Sequence, residues 1–371
     1  MVYLKGVSKY YRPDVTALKD IELLVEENST TALLGEERSG KSTLLRLINR
    51  LEGPTSGQIQ VGGVDVNRVN VLEHRATMGF VVPGGGLVPH RTLRQNVALA
   101  PRLASFPRAR RGEEITRILG VVGLDDAAAG KYPAFASSIE RLQAAFARAL
   151  VASPPLVLLD EPFFGLGRTE RDLMRREFLR VRSLCPKTTF VIATRDVVET
   201  VKLATVVVLM KEGRVLEAAD TKTFIRSPRT KYGEALVRRH KFQIELEAVS
   251  LAELMIRDPI FITLSQANLP VSRAVFLMRK HRIGSLLVAD ENRVLQGLIS
   301  LEDVQDGNPE RRIGDAVKTN VFALNTTDSF SDALGFFVES EEEFLPVTDE
   351  SNCLQGLITR KGISKQLEKL L

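Results

Sequence analysis

The chain has 371 residues, of which 44% are hydrophobic and 26% charged, with a formal net charge of +5. That composition excludes a disordered chain and a membrane-embedded one, and the length exceeds what one ordinary core serves, so two or three domains are expected. No apolar run approaches the roughly 20 residues that cross a bilayer, and Met1-Val2-Tyr3-Leu4-Lys5 lacks a signal peptide's apolar core, so the protein is expected to stay in the compartment where it is made. Cys185 and Cys353 lie far apart, and His74, His90, His240 and His281 form no ligand pattern. Both thiols read as ordinary buried or semi-buried groups in a reducing compartment.

From the amino terminus, the first segment that carries chemistry is Gly35-Glu36-Glu37-Arg38-Ser39-Gly40-Lys41-Ser42-Thr43, which fits G-x-x-x-x-G-K-[ST]. It lies between the apolar run Thr31–Leu34 and a helical pattern from Leu44-Leu45, the strand-loop-helix context the motif requires. Glycine lets the backbone curl until successive N–H groups and the following helix N-terminus point at one anion. The nine residues are therefore expected to cradle a nucleoside triphosphate, with Lys41 reaching the β- and γ-phosphates and the Ser42 hydroxyl on Mg²⁺.

Residues 92 to 150, rich in Arg and Ala at helical spacing, are expected to form a helical subdomain. Leu156-Val157-Leu158-Leu159-Asp160-Glu161-Pro162 follows as an unbroken apolar run ending on two acids, the pattern of a parallel strand buried on both faces. Its carboxyl end opens on the crevice where open α/β sheets bind ligands. Asp160 is expected in the Mg²⁺ shell, and Glu161 is expected to polarise the attacking water, a catalytic role it shares with Lys41. Runs at Gly79–Val82, Phe190–Ala193 and Val206–Met210 alternate with helical stretches and complete an α/β, parallel-rich sheet. Ser227-Pro228-Arg229 to about Leu246 reads as a tether between modules.

Beyond it the chain repeats. Residues 251 to 305 and 313 to 367 align on Gly297-Leu298-Ile299-Ser300-Leu301-Glu302-Asp303 and Gly356-Leu357-Ile358-Thr359-Arg360-Lys361-Gly362, each after a short strand, Ser285–Asp290 and Glu343–Asp349. Such a repeat implies stacked like units. Residues 241 to 371 carry 14 basic and 20 acidic residues, a net of −6, which leaves +11 on residues 1 to 240. The imbalance fits either the solvated surfaces of two unrelated domains or a head that works near an anionic membrane. Nucleic acid is not expected as a partner, because no aromatic residues alternate with the dense basic run Arg108-Ala109-Arg110-Arg111.

With both nucleotide motifs in place, residues 1 to about 235 resemble the ATP-binding subunits of ABC transporters, most closely the quaternary-amine importer class that takes glycine betaine, carnitine or choline. Val7-Ser8-Lys9-Tyr10-Tyr11, Thr16-Ala17-Leu18, Leu51-Glu52-Gly53-Pro54-Thr55-Ser56-Gly57 and Leu209-Met210-Lys211-Glu212-Gly213-Arg214 add to the likeness. The resemblance implies a P-loop NTPase fold, an ABC ATPase domain over residues 1–240, with ATP and Mg²⁺ bound and Tyr11 stacked on adenine. It also implies a homodimer of ATPase subunits, integral-membrane permease subunits as partners, and a peripheral place on the cytoplasmic face of the plasma membrane. The tail resembles an α+β tandem pair of CBS domains, over 247–307 and 308–371. That likeness implies an adenine nucleotide or cyclic dinucleotide at the pair, contacted by Ser300 and Asp303. In the second copy Thr359 remains while Gly362 replaces the aspartate. A dimerisation pair that binds nothing is the alternative reading.

Four positions depart from the ABC pattern. Pro83 replaces the glutamine that couples Mg²⁺ to the permease. The signature LSGGQ reads Ala136-Ser137-Ser138-Ile139-Glu140, which would bring a β-branched side chain and a negative charge toward a polyphosphate. Gly167 replaces an aspartate and Arg195 the switch histidine. All four fall on contacts that close two subunits over ATP, while Lys41, Ser42, Asp160 and Glu161 are intact. Losing one preorganised contact costs roughly 10²–10³ in rate, so hydrolysis is expected to be slow or absent. An arginine at position 195 acting on transferring charge is the opposing reading. Two functions follow: an energy-coupling importer subunit gated by the CBS pair, or a non-hydrolysing nucleotide-binding regulator or scaffold. A soluble translation or repair ATPase fits less well, because such relatives carry two cassettes in one chain.

Overall fold

Three fully buried strands, Thr30–Leu34, Leu156–Asp160 and Thr189–Thr194, form the middle of a six-stranded sheet in the computed structural model. It describes residues 2–12, 15–100, 108–281, 283–305, 311–319, 321–326, 328–340, 342–349 and 351–370. From edge to edge the strands run Arg214–Asp220, Val206–Lys211, Thr30–Leu34, Thr189–Thr194, Leu156–Asp160, Met78–Val81. All neighbours are parallel except the first pair, an antiparallel hairpin. The absence of polar alternation in the buried strands is what a sheet covered on both faces requires.

One face of the sheet packs on the helix Lys41–Ile48, whose Leu44, Leu45, Leu47 and Ile48 are fully buried with Leu33, Val208 and Met210. That core is shared with a second sheet, antiparallel, in the order Val15–Val25, Val2–Arg12, Ser56–Val61, Val64–Asp65. The second core is aromatic: Phe146 lies against Phe163 and Phe178, and Phe178 meets Phe190 edge-on at 5.2 Å between centroids. Phe146 comes from the helix Ser138–Leu150, which with Leu93–Val97, Arg111–Val121 and Asp126–Ala129 forms the helical subdomain. Residues 101–107 of that stretch lie outside the described residues.

The segment read as a tether is helical, over Lys231–Arg239 and Lys241–Ala248. The physical reason is capping. Thr230 Oγ1 accepts from Gly233 N at 3.1 Å, and the buried Glu217 carboxylate accepts from Arg229 N, Thr230 N and Thr230 Oγ1. Ser227-Pro228 therefore marks a turn between two helices rather than a flexible link. The chain divides into two compact units at this point, Met1–Lys241 and Phe242–Leu371.

Within the second unit each repeat contributes an antiparallel strand pair, Ser285–Ala289 with Leu295–Ser300 and Phe344–Thr348 with Leu354–Thr359. The repeats exchange edges. Ile256–Arg257, at the start of the first copy, pairs with Leu357 and Gly356 of the second, and Lys318, leading into the second, bridges Leu298 of the first. Both exchanges need glycine at the matching position. A Cβ on Gly297 would lie 2.3 Å from Val317 Cγ1 and 2.6 Å from Lys318 O, and one on Gly356 would lie 2.7 Å from Ile256 O. The hairpin turns also interlock, Leu295 N donating to Asn352 O at 3.0 Å and Leu354 N to Arg293 O at 2.8 Å.

Candidate functional site

Strand pairing brings the ends of three strands together, since Leu34 is in register with Thr194 and Asp160 with Ala193. Gly35, Asp160-Glu161 and Arg195 consequently leave the sheet side by side. The loop from Gly35 to Lys41 curls tightly. A Cβ on Gly35 would lie 2.3 Å from Met210 O, and Gly40, at φ 100°, would press one to 2.7 Å from Ala17 O. Only glycine fits either place. Ser39 is buried, while Glu36, Glu37 and Arg38 are exposed at the rim and Thr43 is half-buried.

Lys41 is 5% exposed and donates from Nζ to Gly35 O at 2.7 Å, Glu36 O at 2.8 Å and Ser39 Oγ at 3.2 Å. Burial holds its ammonium below the usual lysine range, against the opposing pull of the Glu161 carboxylate. Ser42 Oγ donates to Asp160 Oδ1 at 2.8 Å. Burial pushes the Asp160 carboxyl up, and the Ser42 hydroxyl partly offsets it. A hydroxyl and a carboxylate from separate elements, both hard oxygen donors, suit Mg²⁺, and carbonyl and hydroxyl oxygens around an ammonium are partners that phosphate oxygens replace. Among the described residues no cluster of His, Cys, Asp and Glu could hold a metal ion, which leaves this oxygen pair as the fitting place.

Glu161 follows at φ 46°, its N–H donating to Ala193 O at 2.9 Å. Its Oε1 lies 3.9 Å from Lys41 Nζ and 3.2 Å from Arg195 Nε. Burial raises this carboxyl, with Lys41 and then Arg195 pulling the other way. Arg195 also reaches Glu37 Oε2 at 3.8 Å and stacks its guanidinium 5.1 Å from the exposed Phe164 ring. The segment carrying it is fixed from behind, where Arg175 Nη2 holds Asp196 at 2.7 Å and Glu199 at 3.1 Å, and Thr194 Oγ1 donates to Glu199 at 2.5 Å. Sequence reading placed Arg195 near the site but missed its partners Glu37 and Phe164, which belong to different segments.

Tyr11 sits 49% exposed on the antiparallel sheet, with Lys9 Nζ 5.2 Å from its ring centroid. Its phenol is raised by partial burial and by Glu52, while Thr43 of the phosphate loop acts in the opposite sense.

The altered positions are each occupied by an internal contact. After Pro83, Gly84, Gly85 and Gly86 all have positive φ, and Arg148 of the Ser138–Leu150 helix donates to Gly86 O at 2.8 Å and Gly85 O at 2.7 Å. The expectation that Ile139 and Glu140 face a polyphosphate is corrected. Ile139 packs against the helical core, and Glu140 turns back into a capping box. Its Oε2 accepts from Ser137 N at 2.7 Å, and Lys131 Nζ lies 2.6 Å from its Oε1. A carboxylate three residues into a helix satisfies the free N–H of the cap, which explains the turn inward. Ser138 Oγ donates to Glu170 Oε1 at 2.7 Å, and Glu170 also accepts from Gly167 N, so residue 167 caps the helix Arg168–Leu184.

In the tail, Ser300 ends the strand Leu295–Ser300 opposite Ser285. Asp303 falls within the helix Leu301–Gln305, but its side chain lies outside the described residues. In the second copy Gly362 N donates to Thr359 Oγ1 at 3.1 Å, so that hydroxyl closes a turn of its own helix.

A phosphate-binding loop at the carboxyl end of a parallel sheet, with an acidic pair at a neighbouring strand end, defines a P-loop nucleotide-binding protein. Comparison with known proteins refines this. The ABC transporter family matches residues 18–164, and the CBS domain family matches 251–307 and 313–369. The glycine betaine/carnitine/choline transport ATP-binding protein OpuCA of Bacillus subtilis is 30% identical over 365 residues, 98% of this chain and 95% of that one. The glycine betaine uptake system ATP-binding protein YehX of Escherichia coli is 32% identical over 259 residues, 70% of this chain and 83% of that one. Among solved structures, the ATP-binding cassette MJ0796, a dimer bound to ADP and Pi in a post-hydrolysis state, superposes with a TM-score of 0.54 at 26% identity, covering 60% of this chain and 99% of that one. The chain belongs to the family of ABC transporter ATP-binding subunits, the branch that carries tandem CBS domains. Members of the ABC ATPase family work on ATP with Mg²⁺, and among the described residues no helix is long and apolar enough to cross a membrane.

Proposed function

We propose that this protein is the ATP-binding, energy-coupling subunit of an importer for glycine betaine or a related quaternary-amine solute. The Ser42–Asp160 hydrogen bond carries the reading, because it joins the two halves of a Mg-nucleotide site across the sheet. In this reading the loop Gly35–Thr43 holds the phosphates, Lys41 neutralises them, Ser42 and Asp160 hold Mg²⁺, Tyr11 stacks on adenine and Glu161 orients water. Residues 1–240 form the ATP-binding module, 247–307 the first CBS domain and 308–371 the second. Two copies pair on the cytoplasmic face of the plasma membrane beneath permease subunits, as the relatives' titles as transport ATP-binding proteins and the solved ABC cassette dimer suggest. The tail takes an adenine nucleotide or cyclic dinucleotide at Ser300 and Asp303 and regulates turnover. The test is uptake of labelled glycine betaine by vesicles holding the chain with a permease encoded beside it, with Glu161→Gln as the inactive control. Uptake equal in both would end the reading. Calorimetric titration of the full chain with ATP, AMP and cyclic di-AMP, repeated on Lys41→Ala, separates tail binding from head binding.

A second reading rests on the signature segment. Glu140 is engaged by Ser137 and Lys131, so a chain that binds ATP without turning it over, acting as a regulator or scaffold, fits the same structure. Steady-state phosphate release indistinguishable from Glu161→Gln, together with intact ATP binding, would favour it.

A further inference from the structure

We propose that Arg195 is a latch that makes the head selective for ATP over ADP: it holds Glu161 until a third phosphate takes its place. The inference rests on the reading that nucleotide binds at Lys41. Two cations, Lys41 Nζ at 3.9 Å and Arg195 Nε at 3.2 Å, converge on one oxygen of Glu161. Arg195 has a second acidic neighbour, Glu37 Oε2 at 3.8 Å on the loop that is to receive the phosphates. Its guanidinium is anchored by the Phe164 ring at 5.1 Å, while its side chain is 39% exposed and hence free to turn. The arginine is thus suspended between the acid after the Asp160 strand and an acid of the phosphate loop.

A γ-phosphate entering beside Lys41 adds charge that Glu161 repels and both cations attract. Arg195 then has a better partner than either carboxylate, because a guanidinium matches phosphate oxygens with a fork of parallel N–H donors. It exchanges Glu161 for phosphate, and the freed carboxylate turns to solvent. ADP offers no such partner and leaves the ion pair closed. Arg195 acts through Glu161 in the resting state and is a positioning residue there. The exchange makes and breaks ion pairs only.

The experiment is calorimetric binding of Mg-ATP and Mg-ADP to the full chain and to Arg195→Ala, Arg195→Lys and Glu161→Gln. Arg195→Ala is expected to weaken ATP about tenfold while ADP stays within about twofold. Arg195→Lys, which keeps the charge and loses the fork, is expected to restore part of the ATP affinity. Glu161→Gln removes the competitor, so ATP tightens and ADP does not. Equal changes for ATP and ADP in Arg195→Ala, an unchanged ratio, or tighter ATP would each overturn the latch. Lys41→Ala gives an independent reading: loss of both nucleotides there supports the site, and unchanged affinity for both removes the site itself rather than the latch alone.

Discussion

Ser42 Oγ and Asp160 Oδ1 lie 2.8 Å apart although 118 residues separate them in the chain. The contact is possible because the helix beginning at Lys41 starts where Thr30–Leu34 ends, and Leu156–Asp160 ends one strand away in the same direction. Parallel strands place loops of remote sequence at one sheet edge. The phosphate loop and the acidic strand end therefore form one site without bound nucleotide.

Binding should depend on Lys41 more than on any altered position. Lys41→Ala is expected to weaken Mg-ATP by roughly 100-fold, since charge-assisted contacts to phosphate are lost together. Fluorescent-nucleotide titration reads this directly, and wild-type affinity in the variant would exclude the loop as the site.

Turnover should be low in the native chain and recoverable. The triple variant Arg195→His, Ile139→Gly, Glu140→Gln is expected to release phosphate at least about tenfold faster. It should also melt earlier, because Ile139 packs on the helical core and a glycine in a helix costs about 1 kcal/mol. Coupled phosphate-release assays and calorimetric melting measure the two effects separately. No gain in rate would mean the defect lies elsewhere, with Pro83 the next suspect.

The inward turn of Glu140 gives a pH signature. The hydrogen bond from Lys131, then that from Ser137 N, holds its carboxyl below the usual glutamate range. A lowered folded value contributes stability that is present above the unfolded value and lost as pH falls through the folded one. Glu140→Ala is therefore expected to cost about 0.5–1 kcal/mol at neutral pH and almost nothing near pH 3. Urea unfolding at both pH values tests it, and a cost independent of pH would argue against a charged cap.

In the tail, Gly297→Ala and Gly356→Ala should each destabilise by about 1–3 kcal/mol, because the added methyl meets backbone or a packed side chain rather than a flexible tip. Gly284→Ala, where nothing lies within 4 Å, serves as the control. Equal melting of all three would show that the crossing segments give way.

The sheet and the four nucleotide residues are legible in sequence because each motif is contiguous and flanked by unambiguous apolar runs. What contiguity does not carry is invisible there. Arg148 reaches Gly85 across 63 residues, and nothing in the string Ala147-Arg148-Ala149 announces that its guanidinium braces a glycine turn. Glu140 illustrates the converse failure: aligned to a family signature it reads as a charge facing phosphate, yet its place three residues after Ser137 makes it a cap first. The helices over 231–248 are missed because Ser227-Pro228 reads as a breaker, whereas the buried Glu217 gathers the free N–H groups beyond it. In the tail the repeat is plain from Gly297 and Gly356, but that these glycines admit a strand of the opposite copy requires three dimensions.

The exchanged edges make the sensor half of this protein indivisible. A chain ending between the repeats would leave Leu298 without Lys318 and Ile256 without a strand to join, exposing the apolar seam of Leu287, Leu295 and Leu354 to water. Neither copy has a private sheet, so the pair melts as one cooperative step and an insult to either is felt by both. Evolution can let one cleft decay, as Gly362 suggests, without discarding its repeat, because the idle copy still supplies the edge on which the working one is completed.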